Sequence, residues 1–326
     1  DIYSGKISGN THKVTLAIGE TFGYKGDEKA SEGTDGCGKI YATDNNHKYI
    51  GMFSSSIGSI DDFEISGKIQ VSSANGSISV GSIAAGKKAW ATTCLSKVVV
   101  STAIDLDAKG AGNTSCVGGF YGEAGSDYIE LTNLTEAKAS IKIKNCNAQN
   151  SDVKTYAGGI IGYVPGAFKL KCNGMEVGGS IETDASNYAY VGGVIGFVAP
   201  SGAGAEPSIW VEIRNLVFDG IKISAPDATV ACGGLLGSVW SRTGVYFMGV
   251  DDSNDGTNTK MTVKNASIEA PNASVGGLAY KASGIWEIRT NGIDIQKMYI
   301  NSGKDLGLLV CHGEKSNVAR GWAVED

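Results

Sequence analysis

Three groups of aspartates are the residues of this sequence best suited to acid–base chemistry. They are Asp61 with Asp62, Asp105 with Asp107, and Asp251 with Asp252 and Asp255. Two carboxyl groups on either side of a sugar bond can hydrolyse it, and an acidic calcium site beside a basic residue could support elimination instead. We expect none of the three groups to face a lysine or arginine at the equivalent position of the next repeat. We therefore interpret them as solvated turn charges and predict no catalytic residue.

One acidic insertion begins like a calcium-binding loop. Asp251, Ser253 and Asp255 place oxygen atoms at alternate positions, and a glycine follows where such a loop turns sharply. The bidentate acid expected at the twelfth position is missing, because Thr262 occupies it. We therefore favour an acidic loop over a calcium site.

Histidines and cysteines form no recognisable metal or catalytic motif. His12, His47 and His312 are far apart, and none belongs to a His-Glu-x-x-His zinc motif. The seven cysteines also lack the Cys-x-x-Cys spacing of zinc and redox sites; they are Cys37, Cys94, Cys116, Cys146, Cys172, Cys232 and Cys311. Their odd number leaves at least one thiol free or joined to another chain. Free cysteines packed in a core and disulfides between neighbouring repeats both remain open at this point.

The composition indicates a folded, glycine-rich chain that binds no nucleic acid. Of 326 residues, 47 are glycine and only 5 are proline, while 42% are hydrophobic and 19% are charged. This is too apolar for disorder, and the net charge of −6 argues against a phosphate-binding surface. No apolar stretch reaches the roughly 18 residues of a membrane-spanning helix. The sequence has no signal peptide and begins without methionine, so we expect a mature chain or a fragment.

A repeated Gly-Gly signature organises most of the chain. In five copies two hydrophobic residues follow two glycines, and the paired glycines are Gly118-Gly119, Gly158-Gly159, Gly192-Gly193, Gly233-Gly234 and Gly276-Gly277. Degenerate copies lie around Gly51, Gly81 and Gly307, and the steps between first glycines from Gly51 onward are 30, 37, 40, 34, 41, 43 and 31 residues. A glycine lets the backbone turn or pack where a Cβ would clash. We therefore expect close backbone contacts at these pairs.

An asparagine recurs at a second place in the repeat. Asn133, Asn173 and Asn291 follow the first glycine of their repeats by 15 residues, and Asn215 and Asn265 follow theirs by 23 and 32. Stacked asparagines could form a ladder that bonds the repeats above and below. Under this hypothesis Asn133 and Asn265, which both lie in glycosylation sequons, should be buried and unmodified. The alternative is that asparagine is simply a good turn residue.

Short strands with alternating hydrophobic residues complete each repeat, as in Ser140-Ile141-Lys142-Ile143. About three strands per repeat, without helical periodicity, predict an all-β fold, a right-handed parallel β-helix (β-solenoid) of about eight coils. We expect one domain over residues 1–326, with a lead-in at 1–48, repeats at 49–311 and a tail at 312–326. A β-propeller and a pair of β-sandwiches are the alternatives, although hairpin signals between the strands are weak.

The repeat units resemble a known family. Gly-Gly-hydrophobic-hydrophobic-Gly units followed by an Asn-containing strand are similar to the GLUG-motif repeats of bacterial surface proteins, and the stretch from Tyr3 to Val14 resembles their lead-in. The resemblance covers about residues 3 to 311. It implies a β-helix like those in adhesins, cell-wall-anchored proteins and some large secreted peptidases. The irregular repeat lengths and the cysteines in the strands depart from the family pattern.

Together these features predict an extracellular or cell-surface protein without enzymatic activity. The first hypothesis is an adhesive module that binds a glycan or a protein along one flank, where Trp210 and Trp240 beside insertions could stack on sugars. The second is a structural subunit of a filament, sheath or surface layer that self-associates through its ends, because uncapped sheet ends leave backbone groups unpaired. A carbohydrate-active enzyme is the third. We expect no cofactor, no nucleic-acid partner and no membrane span.

Overall fold

The computed structural model consists of β-strands joined by turns. It describes residues 6–19, 40–42, 47–53, 58–73, 77–86, 92–108, 114–124, 127–146, 154–165, 168–186, 188–199, 209–229, 231–234, 236–248, 261–289, 293–308 and 310–314. The strands in chain order are β1 (Lys6–Ile18), β2 (Ile40–Ala42), β3 (Lys48–Ile50), β4 (Ser59–Ser73), β5 (Ile78–Gly81), β6 (Thr92–Val100), β7 (Ala103–Asp107), β8 (Thr114–Gly118), β9 (Tyr121–Glu123), β10 (Asp127–Ala137), β11 (Ser140–Lys144), β12 (Lys154–Gly158), β13 (Ile161–Val164), β14 (Phe168–Val177), β15 (Ser180–Thr183), β16 (Tyr188–Gly192), β17 (Ile195–Val198), β18 (Ile209–Asp219), β19 (Lys222–Ser224), β20 (Ala231–Gly233), β21 (Leu236–Met248), β22 (Met261–Lys264), β23 (Ala266–Ala270), β24 (Ser274–Gly276), β25 (Ala279–Arg289), β26 (Ile293–Ile295), β27 (Met298–Ser302), β28 (Leu306–Gly307) and β29 (Val310–Glu314).

The strands form two sheets, and all pairings among the described residues are parallel. The small sheet contains eight strands in the order β3, β5, β8, β12, β16, β20, β24 and β28, and the large sheet contains the other 21. Each strand pairs with its counterparts in neighbouring repeats; for example, Gly158 lies opposite Gly118 and Gly192. The predicted all-β class with parallel strands is confirmed. Within the described ranges, no helix has the length and hydrophobicity needed to cross a membrane.

The predicted lead-in contributes strands to the large sheet. β1 pairs with β4 from Lys6 opposite Ser59 to Ile18 opposite Ile69, and β2 pairs with the last part of β4. The described part of residues 1–48 is therefore continuous with the repeats. At the other end β29 reaches Glu314, inside the predicted tail, and residues 315–326 lie outside the described residues.

The main core is built from columns of aliphatic residues in register from one repeat to the next. One column contains eight isoleucines: Ile18, Ile69, Ile104, Ile141, Ile181, Ile223, Ile268 and Ile300. The six inner members are at most 1% exposed, and the two end members are half-buried. In β11, Ile141 and Ile143 are buried and Ser140 and Lys142 are exposed, because successive side chains of a strand point to opposite faces.

The glycines of the Gly-Gly-x-x-Gly units allow two close backbone contacts. The first glycine of each of the five pairs ends a strand of the small sheet, and the second follows it directly. A Cβ on a second glycine such as Gly159 would fall on the carbonyl oxygen of Gly193 in the next repeat. A Cβ on the third glycine of that unit, Gly162, would lie 2.6 Å from the backbone nitrogen of Val117 in the small sheet. The glycines therefore set how closely neighbouring repeats and the two sheets approach.

Candidate functional site

A buried polar cluster on the outer face of the small sheet is the strongest candidate site among the described residues. Tyr49 on β3, Ser79 on β5 and Cys116 on β8 lie opposite one another in register. The residues on either side of Ser79 belong to the main core, so Ser79 points away from that core. Glu123, at the end of β9, reaches the same place from the large sheet.

Hydrogen bonds join side chains from three successive repeats in this cluster. His47 Nε2 lies 2.7 Å from Ser79 Oγ, and Ser79 Oγ donates to Glu123 Oε2 at 3.3 Å. His47 Nε2 is also 3.6 Å from Glu123 Oε2. Because the hydroxyl proton of Ser79 is directed to the carboxylate, the imidazole N–H is the donor to Ser79. The ring of Tyr49 stacks on His47 with centroids 4.5 Å apart.

Burial controls the protonation of the cluster. Ser79 is 0% and Glu123 5% exposed, and the His47 side chain is 28% exposed. Burial lowers the pKa of His47, so its neutral form is favoured. Burial, followed by the nearby Glu123 carboxylate and Cys116, raises the pKa of Tyr49 to about 12. Burial also raises the pKa of the Cys116 thiol, with Glu123 as the second cause.

The geometry does not match a Ser–His–acid triad. In such a triad the imidazole contacts the hydroxyl through one nitrogen and the acid through the other. Here Nε2 of His47 faces both Ser79 and Glu123. The buried Ser79 hydroxyl is closed to a substrate, and the Cys116 thiol with its raised pKa is a poor nucleophile. The arrangement instead links three repeats by hydrogen bonds.

An aromatic group continues from the polar cluster along the same face. Cys116 lies opposite Tyr156, and Tyr156 lies opposite Tyr190. The ring of Tyr156 stacks on Phe197 with centroids 4.9 Å apart, and on Tyr163 with centroids 4.6 Å apart. We call Cys116, Tyr156, Tyr190, Phe197 and Ala199 the outer cluster, because they pack together outside the main core. Each of these five is at most 9% exposed, so the rings pack on one another and do not form an open stacking surface.

Two of the predicted turn aspartates have basic partners on the next strand. Asp105 lies opposite Lys142 and Asp107 opposite Lys144, and Lys144 Nζ is 3.3 Å from Asp105 Oδ1. Lys142 Nζ in turn is 3.0 Å from Glu182 Oε1. The expectation that no lysine faces these acids at the equivalent position is therefore wrong. The charged side chains of β7, β11 and β15 therefore form ion pairs between neighbouring repeats.

The remaining acidic candidates form no site that the structure describes. The candidate calcium ligands Asp251, Ser253 and Asp255 lie outside the described residues. In the part of the chain that is described, no three histidine, cysteine, aspartate or glutamate side chains converge as a metal site. Asp61 and Asp62 lie on β4, and Asp62 has a left-handed φ of 57°.

Three of the predicted ladder asparagines lie on strands that pair with one another. Asn133 is on β10, Asn173 on β14 and Asn215 on β18. Asn173 lies opposite Thr132 and Arg214, so its asparagine neighbours are each displaced from it by one residue. The register therefore brings the three backbones to nearly the same level of successive strands.

The other two asparagines do not join this group. Asn265 lies at a different place in the repeat, opposite Gly220, between the pairs Asp219–Lys264 and Lys222–Ser267. It is exposed and has a left-handed φ of 52°. The expectation that Asn265 is buried is therefore wrong, and the turn explanation applies to it, because asparagine tolerates this backbone conformation. Asn291 lies outside the described residues.

A polar link between repeats does occur, at an asparagine that the sequence pattern did not single out. Asn145 Nδ2 donates to Asp107 Oδ1 of the preceding repeat at 2.8 Å. Its backbone N–H donates to Asp184 of the following repeat at 2.6 Å, and the N–H of Cys146 donates to the other oxygen of that carboxylate at 2.9 Å. Asp107, Asn145 and Asp184 lie at or just after the ends of β7, β11 and β15, and this correspondence becomes visible only from the register.

The described cysteines favour core packing over disulfides between neighbouring repeats. Cys116, Cys146 and Cys232 are buried free thiols, and burial raises the pKa of the last two to about 12. No two described cysteines lie opposite each other in the strand register; Cys172, for example, lies opposite Leu131. Cys37 lies outside the described residues.

Comparison with known proteins finds no match among protein-family models, curated proteins or solved structures. Membership of the GLUG-motif repeat family therefore stays a prediction from the residues that resemble it.

Proposed function

We propose that this chain is a right-handed parallel β-helix of about eight coils, acting outside the cell as a non-enzymatic surface module that binds a glycan or a protein along one flank. The eight parallel strands of the small sheet and the pairing of each repeat with the next support this architecture. Connections between parallel strands are right-handed in nearly all proteins, which supports the handedness. The resemblance to GLUG-motif repeats supports the extracellular location.

The observation that carries the proposed binding role is the register of one flank of the large sheet. There Tyr128, Lys169 and Trp210 lie opposite one another on β10, β14 and β18. Two residues further on, Glu212 lies opposite Lys171 and Tyr246. Tyrosine and tryptophan combine a large apolar surface with a polar tip, which is why they are enriched at binding surfaces. Charged residues beside them could bond sugar hydroxyls or the polar rim of a protein partner.

The use of charges on the described strands supports a role without catalysis. Glu130 pairs with Lys171 at 3.3 Å. In the same way, Asp105 pairs with Lys144 and Glu182 with Lys142. Exposed ion pairs of this kind contribute little to stability. They do, however, keep each lysine bound to a carboxylate, so the lysine is not positioned to accept a proton from a substrate. Among the described residues, the one buried acid with a histidine and a hydroxyl beside it is Glu123, and it is closed to substrate.

Binding to a defined glycan array and to purified matrix proteins tests the proposed module. For a ligand found by this screen, Trp210→Ala and Tyr246→Ala should each weaken binding at least tenfold, which corresponds to about 1.4 kcal/mol. Tyr299→Ala is the matched control, because Tyr299 is exposed on β27, away from this flank. Unchanged melting curves would show that the variants fold.

Two results would contradict the proposal. One is a screen without any ligand, or a ligand whose affinity Trp210→Ala and Tyr246→Ala leave unchanged. The other is the release of new reducing ends or unsaturated sugars from a polysaccharide by the purified protein, which would establish a carbohydrate-active enzyme. Surface proteolysis of intact source cells tests the location, since an exported module should be digested while cytoplasmic markers survive.

A further inference from the structure

The exposed large hydrophobic side chains of the described chain lie at its two ends. They are Tyr49, Tyr299, Leu306 and Leu308, with exposures of 37%, 54%, 58% and 65%. Tyr49 is on β3, one edge strand of the small sheet, and Leu306 is on β28, the other edge strand. Leu308 follows β28, and Tyr299 is on β27 of the preceding repeat. Exposed apolar side chains on edge strands are typical of surfaces that pair with another chain.

The two ends are complementary parts of one repeat. The chain enters the large sheet with β1 and β2 before its first small-sheet strand, β3. The last described repeat consists of β28 in the small sheet and β29 in the large sheet. Among the described pairings, β1 pairs only with β4, while β26 and β27 pair only with β22 and β23. β1 and β2 are therefore equivalent to the large-sheet strands that follow β29 in the order of the repeat.

The isoleucine column indicates the register of such a junction. Its six inner members are covered on both sides by the next isoleucine, whereas Ile18 and Ile300 at its ends are half-buried. Ile18 of a second copy placed beside Ile300 would continue the column without interruption. In the small sheet, Leu306 is the last described member of a column that also contains Ile50, Val80, Val117, Ala157, Val191, Cys232 and Val275; Leu306 is 58% and Ile50 6% exposed. One translation of a second copy would extend both columns.

The residues at the second-glycine position also indicate that the last repeat would contact the first repeat of another copy. This position is glycine in five repeats, but it is Met52 and Ser82 at the start of the chain and Leu308 at its end. Met52 and Ser82 keep the backbone contact with the next repeat, because their N–H groups donate to Ser82 O at 3.2 Å and to Gly119 O at 3.3 Å. A head-to-tail junction would place Leu308 of one copy next to Met52 of the other, with Ser82 in the repeat after it. Leu308 would then contact the first of the two repeats that also carry a side chain at the second-glycine position.

From these observations we infer that copies of this chain associate head to tail, with β1 and β2 of one copy completing the repeat that begins with β28 and β29 of another. The partner is a second copy of this chain, and the contact is heterologous, so it generates linear assemblies. This self-association is independent of the ligand proposed for the flank, and either can fail without the other.

Sedimentation velocity and electron microscopy over a wide concentration range test the inference. Leu306→Asp blocks one end and Tyr49→Asp the other; Ala103→Asp is the control, because Ala103 is exposed on β7, between the two ends, and lies opposite Lys68. The wild type and the control should form linear series that lengthen with concentration. Each end variant alone should be monomeric, with association at least tenfold weaker. An equal mixture of the two should form dimers and nothing larger, because each retains one intact end.

Three outcomes would overturn the inference. A wild type that is monomeric at every concentration, with Leu306→Asp lowering the unfolding midpoint, would indicate that residues 315–326 cover the last repeat. Loss of association in Leu306→Asp but not in Tyr49→Asp would indicate a symmetric contact through one end. Failure of the mixture to dimerise would exclude the head-to-tail arrangement.

Discussion

The main core and the outer cluster lie on opposite faces of the small sheet and repeat in different ways. The isoleucine column of the main core keeps one residue type through eight successive strands. On the outer face, the column that begins with Tyr49 changes at each of the next three repeats, to Ser79, Cys116 and Tyr156. The core-facing column of the small sheet also varies, for example through Val80, Val117 and Ala157, but it stays apolar, because a packed interior disfavours polar groups that lack partners. The outer face tolerates differences along the chain, so a local site can arise there.

Truncating the isoleucine column should have the largest effect on stability. Ile141→Ala removes a fully enclosed side chain and leaves a cavity, so we expect a loss of about 2–5 kcal/mol in the free energy of unfolding. Ile300→Ala, at the half-buried end of the same column, should cost about 1 kcal/mol, since less apolar surface loses contact. Urea unfolding of both variants measures the difference. Equal losses would mean that the ends of the column are as well enclosed as its middle.

Two glycine substitutions distinguish the stability loss caused by close packing between repeats from the loss caused by a left-handed backbone conformation. Gly159→Ala places a Cβ on the Gly193 carbonyl, so we expect a loss near the upper end of about 1–3 kcal/mol. Gly220 has nothing within 4 Å of a built Cβ but a φ of 73°, so Gly220→Ala should cost about 1 kcal/mol. Gly220→Asn should cost less, as Asn265 occupies the opposite position of the next repeat. An order in which Gly220→Ala is the more damaging would contradict the packing role of Gly159.

The repeat signature was sufficient to predict the class of fold and the parallel strands. Gly-Gly pairs and short alternating strands mark each repeat, and the structure pairs Gly118, Gly158 and Gly192 as their recurrence implies. The register of polar residues could not be predicted, because steps of 30 to 43 residues between repeats hide which residues lie opposite. For this reason Lys142 and Lys144 were not recognised as the partners of Asp105 and Asp107.

The polar cluster required three-dimensional information. His47 and Ser79 are 32 residues apart, and Ser79 and Glu123 are 44 apart, so no local spacing connects them. The residue after the third glycine also gives no clear signal: it is Glu123, Tyr163, Phe197 and Ser238 in successive repeats, and Lys281 lies opposite Ser238. Because this column is mixed, the charge of Glu123 does not by itself distinguish its repeat from the others.

The polar cluster should give the outer face a pH dependence that the apolar core lacks, and this is the smallest of the expected effects. Burial lowers the pKa of His47 from 6.5, so the unfolded chain binds a proton more readily than the folded one. The stability contribution is therefore complete above pH 6.5 and is lost as the pH falls through the lowered pKa of the folded state. His47→Gln should flatten the pH dependence of the unfolding midpoint between about pH 7 and 5, near the ordinary histidine range. Ser79→Ala should lower the midpoint throughout but retain the slope, because the imidazole stays buried beside Glu123. A wild-type slope that survives in His47→Gln would assign the proton uptake to another group and leave the cluster a purely structural link between repeats.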